Sequence, residues 1–255
     1  MNKNLKLFLK AVLLVLALFG LGYLFGRVLG SNTGDIDFKK MLAVDHTTVG
    51  VILTILQLLV TFIPLITATV QYLTIKKSAS KWDGEDEEYI DDIENAINKP
   101  MVSISTALIL NIILFSCSCY FLLDEIKLYS AIPSVTFLVG MVWHLILTEK
   151  MVSLEKQLNP EKKGSIFDPK FQKKWLASCD EGQKQIIWRS GYKAYLTGNT
   201  TCYILWIITF VLQMILKFGI MPMICIGVIW LTMHTSYMRT ATKLEARSYK
   251  DDTDQ

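Results

Sequence analysis

Residues 49–75 read VGVILTILQLLVTFIPLITATVQYLTI, 27 consecutive positions without Asp, Glu, Lys or Arg, and Lys76-Lys77 follow at once. A helix crossing about 30 Å of hydrocarbon needs about 20 apolar residues, so this stretch is long enough to span a bilayer. Five more runs of the same character lie at 7–26, 101–123, 128–148, 200–216 and 218–238, and only the first of them holds a charge, Lys10. In hydrocarbon every backbone polar group must be satisfied within its own segment, which selects helices. The expected fold is therefore all-α, a polytopic bundle of six transmembrane helices forming one integral membrane domain over residues 1–255.

Basic residues resist translocation and so orient the helices. With the N-terminus inside, Lys3, Lys6, Lys10, the loop 76–100, the loop 149–199 and the tail together place 21 of the 26 Lys and Arg residues on the cytoplasmic side. Arg27, Lys39, Lys40, Lys127 and Lys217 face outward. Both termini are expected in the cytoplasm of a cell (plasma) membrane protein. The first run is too long for the apolar core of a signal peptide and lacks a small-residue cleavage pattern after it, so it reads as a retained signal anchor. Runs five and six are separated only by Lys217, Phe218 and Gly219, which together with Pro222 suit a tight reversal.

Polar mass concentrates on the cytoplasmic side. Loop 76–100 carries eight acids against four basic residues, and Tyr89, Ile90, Ile93, Ala96 and Ile97 form one apolar stripe at helical spacing. Asn98 with Pro100 then reads as the cap and first turn of a new helix, the third span. Loop 149–199 holds ten basic residues against six acids. There the fourth span should continue to about Leu158 and stop at Asn159-Pro160. Asp168-Pro169 should start a short helix, and Asp180-Glu181 a second one leading to span five. The opposite charges of the two loops suggest that they dock on each other, although the basic loop could equally lie on anionic headgroups. Phe171, Trp175, Trp188, Tyr192 and Tyr195 are many aromatics for such a loop; they serve either docking at the membrane interface or binding of a partner.

Within the spans, His144 and His234 lie at similar depths, each followed by Leu-Glu at one offset (154–155 and 244–245), a faint sign of repeated two-helix units. Gln57, Gln71, Asn111 and Gln213 are the other strongly polar intramembrane side chains, and such groups usually hydrogen-bond between helices. Pro64, Pro133 and Pro222 are expected to kink spans two, four and six. Four of the five cysteines, Cys117, Cys119, Cys202 and Cys225, fall in spans, where Cys behaves as a small hydrophobe. No phosphate-binding glycine loop, nucleophile elbow or zinc-spaced Cys/His set occurs, so neither catalysis, cofactor nor metal is expected. Nothing points to direct nucleic-acid binding, and a homo-oligomer is compatible with the sequence.

The segment Asp180-Glu181-Gly182-Gln183-Lys184 through Tyr192-Lys193-Ala194-Tyr195, with Ile93-Glu94-Asn95-Ala96 before span three, resembles an uncharacterised family of six-span integral membrane proteins from Gram-positive bacteria. That resemblance covers nearly the whole chain and implies no catalytic residue, cofactor or substrate. The expectation that follows is a noncatalytic membrane protein that regulates or senses through a cytoplasmic regulatory partner bound by its loops. A small-solute transporter or channel subunit is the alternative.

Overall fold

A computed structural model of the chain describes residues 45–82, 87–122, 127–216 and 219–253, together with Leu9, Lys10, Leu13 and Ala17. Apart from those four residues, the expected first span lies outside the described residues, as do Lys217 and Phe218 of the final reversal. Among the described residues every regular element is a helix: α1 His46–Ala79, α2 Glu87–Leu122, α3 Lys127–Leu158, α4 Phe171–Ala177, α5 Glu181–Leu216 and α6 Met221–Thr253. All but α4 are long and apolar enough to cross a membrane. The chain divides into two compact units, residues 1–179 and 180–255.

In the first unit α1, α2 and α3 pack on one another. Asp45 caps α1 by accepting from the Thr47 amide at 3.2 Å, and Lys76 and Lys77 lie at its negative end. The buried positions of α1 are Gly50, Thr54, Gln57, Thr61, Leu65, Ala68, Tyr72 and Ile75. Their spacing of three and four residues places them on one face. This seam changes character along its length, being polar through Thr61 and apolar beyond it. The apolar half builds the core with Ile93, Ile97 and Ile104 of α2 and Leu147, Met151, Leu154 and Leu158 of α3. Ile55, Leu59, Ile63, Ile66 and Val70 point outward. Toward lipid such exposure costs nothing, because the tails are as apolar as the side chains.

Asn98-Pro100 does not begin a helix; α2 runs unbroken from Glu87 through Pro100 to Leu122. Pro100 removes one backbone bond, which costs about 3 kcal/mol in a free helix. Here its ring is fully buried, and Ile93 and Ile97 continue the buried face of Ile104 in register across it. The burial on both sides of the proline holds the two segments as one rod. The α3 boundary at Leu158 is as expected, whereas α4 starts at Phe171, two residues beyond Pro169. The residues before it are taken up by turns, in which Asp168 N donates to Ser165 O and Phe171 N to Asp168 O.

The second unit is the hairpin of α5 and α6. The helix begun at Asp180-Glu181 runs without a break into the expected fifth span. Gly219 has φ of +95°, the left-handed conformation that suits glycine in a short reversal. Pro222 is the second residue of α6, where a missing N–H is harmless, so it starts this helix rather than kinking it.

Candidate functional site

The polar half of the α1 seam meets α2 and α3 in a closed node. Gln57 Nε2 donates to Asn111 Oδ1 at 2.9 Å and to the Pro133 carbonyl at 3.1 Å. A carbonyl only accepts, so Pro133 fixes Gln57 with its NH2 group inward, and that in turn fixes Asn111 with its carbonyl toward Gln57. Asn111 Nδ2 is left without a protein partner, as are Gln57 Oε1, Thr61 Oγ1 and Ser118 Oγ. Gln57 and Ser118 are fully buried, and Asn111 and Thr61 nearly so. Thr54, Thr67, Thr69 and Thr74 all donate back to the carbonyl four residues earlier. Thr61 does not.

Thr61, Asn111, Gly140 and His144 line a cavity of about 10 Å³ together with Leu65, Ile104, Ala107 and Leu108. That is room for one water, whose hydrogen bonds Asn111 Nδ2 and Thr61 Oγ1 could complete. Three of the six polar residues singled out in the spans, Gln57, Asn111 and His144, therefore share one node. The other three do not join it: Gln71 lines a separate groove between α1 and α2, His234 is exposed on α6, and Gln213, on α5, has Oε1 without a partner among the described residues. Gly140 escaped the sequence reading. Only a residue without Cβ lets α1 and α2 approach α3 there, since an added Cβ would stand 2.4 Å from Thr61 Cγ2 and 3.0 Å from Asn111 Nδ2.

Beyond the charged boundary at Glu149-Lys150, α3 and the segment after it form a folded cap. Lys156 Nζ donates to Gly164 O at 2.7 Å, Ile166 N to Glu149 Oε2 at 2.9 Å, and Lys163 N to Ser178 Oγ at 3.1 Å. Asn159 Nδ2 donates to Glu94 Oε1, joining the acidic loop to the basic one. The two loops thus meet, chiefly through the apolar core of Ile93, Ile97, Leu154 and Leu158. Burial lifts the Glu155 carboxyl to about 6; Glu94 pushes the same way, Lys162 opposes, and Glu161 adds to the rise. Lys162 is buried, with Nζ 3.6 Å from Cys179 Sγ and 5.7 Å from the centre of the Trp175 ring. Gly164, at φ +130°, lies against the Phe171 ring, which packs on Trp175 at 5.5 Å between centroids. Phe171 and Trp175 are therefore parts of the cap. Lys162 and Cys179 looked in the sequence like ordinary loop residues, with no periodic signal to mark them, and Glu155 was marked only by its place in the faint Leu-Glu repeat.

In the second unit Tyr195 stacks on Tyr237 of α6 at 4.3 Å with ring planes 10° apart, and Tyr192 lies 6.3 Å from the same ring. Asn199 Oδ1 accepts from Trp230 Nε1 at 2.7 Å. Tyr195 belongs to the packing of the hairpin, whereas Trp188 and Tyr192 remain 56% and 52% exposed. Of the five loop aromatics, the structure leaves these two on an open surface.

Among the described residues no group of three or more His, Cys, Asp or Glu could hold a metal ion. No curated protein and no solved structure matches the chain significantly. One family does, over residues 10–241, which is nearly the whole sequence. With five apolar helices of spanning length and that match, the chain is a membrane-type protein belonging to DUF3169, a family described only as protein of unknown function.

Proposed function

We propose that this is a noncatalytic membrane protein that regulates or senses by binding a soluble partner on the water-exposed extensions of its helices. The observation that carries this reading is the position of Trp188. The helix α5 has 36 residues and ends at Leu216, so the roughly 20 residues that hydrocarbon requires begin near residue 197. About nine residues earlier, Trp188 lies about 14 Å beyond the hydrocarbon along an upright axis. Headgroups extend only about 5–7 Å past the hydrocarbon on each side. A tilt of about 20° shortens that reach by about 1 Å. Docking at the membrane interface was the competing account of the loop aromatics, and a position beyond headgroup depth weighs against it for Trp188. Trp188 and Tyr192 stand one turn apart on one face, 56% and 52% exposed. Exposed Trp and Tyr at such a site are the usual anchors of protein interfaces. With the basic side taken as cytoplasmic, the partner is a cytoplasmic protein and the membrane is the cell membrane.

A photoreactive residue in place of Trp188, crosslinked in native membranes, tests this. A single soluble protein captured there, and lost on Tyr192→Ala, is the expected outcome. Capture of lipid alone refutes the reading. The alternative, a small-solute transporter, draws less support, because the cavity lined by Thr61, Asn111 and His144 has room for one water.

A further inference from the structure

The uncharged run of α1 ends at Ile75, with Lys76-Lys77 next, and α2 enters its own uncharged run after Lys99-Pro100. Residues 70–75 and 92–100 therefore share the level at which hydrocarbon gives way to headgroups, whichever way the chain is oriented. At that level α1 and α2 leave an open groove of about 460 Å³, lined by Val70, Gln71, Ile75, Asp92, Asn95 and Lys99 among others. Asp92, Asn95 and Lys99 follow one another at three and four residues, so they form one row on α2. Asp92 and Lys99 are two turns apart, about 10 Å along the axis. Helical side chains lean toward the N-terminus, so the long Lys99 arm shortens that gap. No ion pair engages either residue among the described ones.

Moving out from the bilayer, the groove presents a cation at Lys99, an amide at Asn95 and an anion at Asp92. A phospholipid always presents its phosphate first. Only a lipid with a primary ammonium beyond the phosphate offers the matching sequence of anion and then cation, with N–H donors for Asp92 and the Asn95 carbonyl. A glycerol headgroup brings no cation to Asp92, and a choline headgroup brings no N–H. On the hydrocarbon side, Val70, Ile66 and Ile63 are exposed at helical spacing and continue the groove as a track for an acyl chain. We propose that this groove binds one aminophospholipid, with its phosphate on Lys99 and its ammonium on Asp92 and Asn95. This goes beyond partner docking and involves different helices, α1 and α2.

Native mass spectrometry of the full chain, offered phosphatidylethanolamine, phosphatidylglycerol and phosphatidylcholine at equal concentration, tests the site. One charge near a membrane surface changes affinity by about fivefold, so phosphatidylethanolamine should be retained about fivefold better than phosphatidylglycerol, and also better than phosphatidylcholine, whose nitrogen has no N–H to donate. Asp92→Lys should reverse the preference toward phosphatidylglycerol, and Lys99→Gln should weaken retention of phosphatidylethanolamine. Both positions are exposed, and an unchanged thermal transition would show that the variants remain folded. Should either variant fail to fold, Asn95→Ala, which removes only an amide, should weaken retention of phosphatidylethanolamine alone. Equal retention of the three lipids overturns the proposal, as does a preference that survives Asp92→Lys. Displacement of the lipid by soluble phosphoethanolamine at low millimolar concentration would make this a site for a free solute and overturn the lipid assignment.

Discussion

Gly140→Ala places one methyl group where three helices meet. The added Cβ would stand 2.4 Å from Thr61 Cγ2, about 1 Å inside ordinary contact, and 3.0 Å from the Asn111 amide nitrogen. Thr61 is a stiff β-branched residue on a helix, so the strain falls on the backbone spacing of α1 and α3. Overpacking of this kind costs about 1–3 kcal/mol. If the helices part, the bonds from Gln57 to Asn111 and Pro133 weaken as well, each worth about 0.6–2 kcal/mol inside a membrane bundle. Gly227→Ala is the matched control, because nothing lies within 4 Å of its added Cβ. There the alanine should stabilise by up to about 1 kcal/mol through helix propensity. Reversible unfolding in mixed micelles should thus separate the two variants by about 2–4 kcal/mol. Thr61→Ser deletes the clashing methyl, so in the Gly140→Ala background it should recover about 1–2 kcal/mol of that loss. Equal stability of the two alanine variants, or no recovery with Thr61→Ser, would refute the packing argument.

Other outcomes follow from the same structure. Glu155, with its carboxyl raised to about 6, binds its proton more tightly folded than unfolded. Stability should therefore fall as pH rises from about 4.5 to about 6 and level off above, by about 1 kcal/mol once solvent screening is allowed for. Glu155→Gln should flatten that profile in pH-dependent thermal melts of the full chain. Asn111→Leu leaves Gln57 Nε2 with the Pro133 carbonyl as its remaining partner and should lower stability by about 1–2 kcal/mol in the same unfolding assay. Tyr195→Ala removes the stack on Tyr237 and should loosen the α5–α6 hairpin, seen as faster amide exchange near residue 195, while Trp188→Ala leaves exchange unchanged. Lys156→Met removes the donor to Gly164 O and should raise protease cleavage between residues 159 and 170 without changing membrane insertion.

The helical class, five helices long and apolar enough to cross a membrane and the end of α3 at Leu158 were legible in residue order alone. Hydrocarbon imposes a minimum apolar length and forbids unpaired backbone, and both constraints act locally along the chain. Gln57, Asn111 and His144 were also recognisable as candidates, because polar groups are rare in spans. Their joint node was not recognisable, since it depends on which faces of α1, α2 and α3 meet, and on Gly140 permitting the approach. Local signals misled where long-range burial outweighed them: Pro100 reads as a helix start, yet Ile93, Ile97 and Ile104 pack in one register across it. The five loop aromatics looked alike in sequence. Only the tertiary structure sorted Phe171 and Trp175 into the cap and Tyr195 onto Tyr237, leaving Trp188 and Tyr192 exposed, because burial belongs to the neighbours a side chain meets and not to its type.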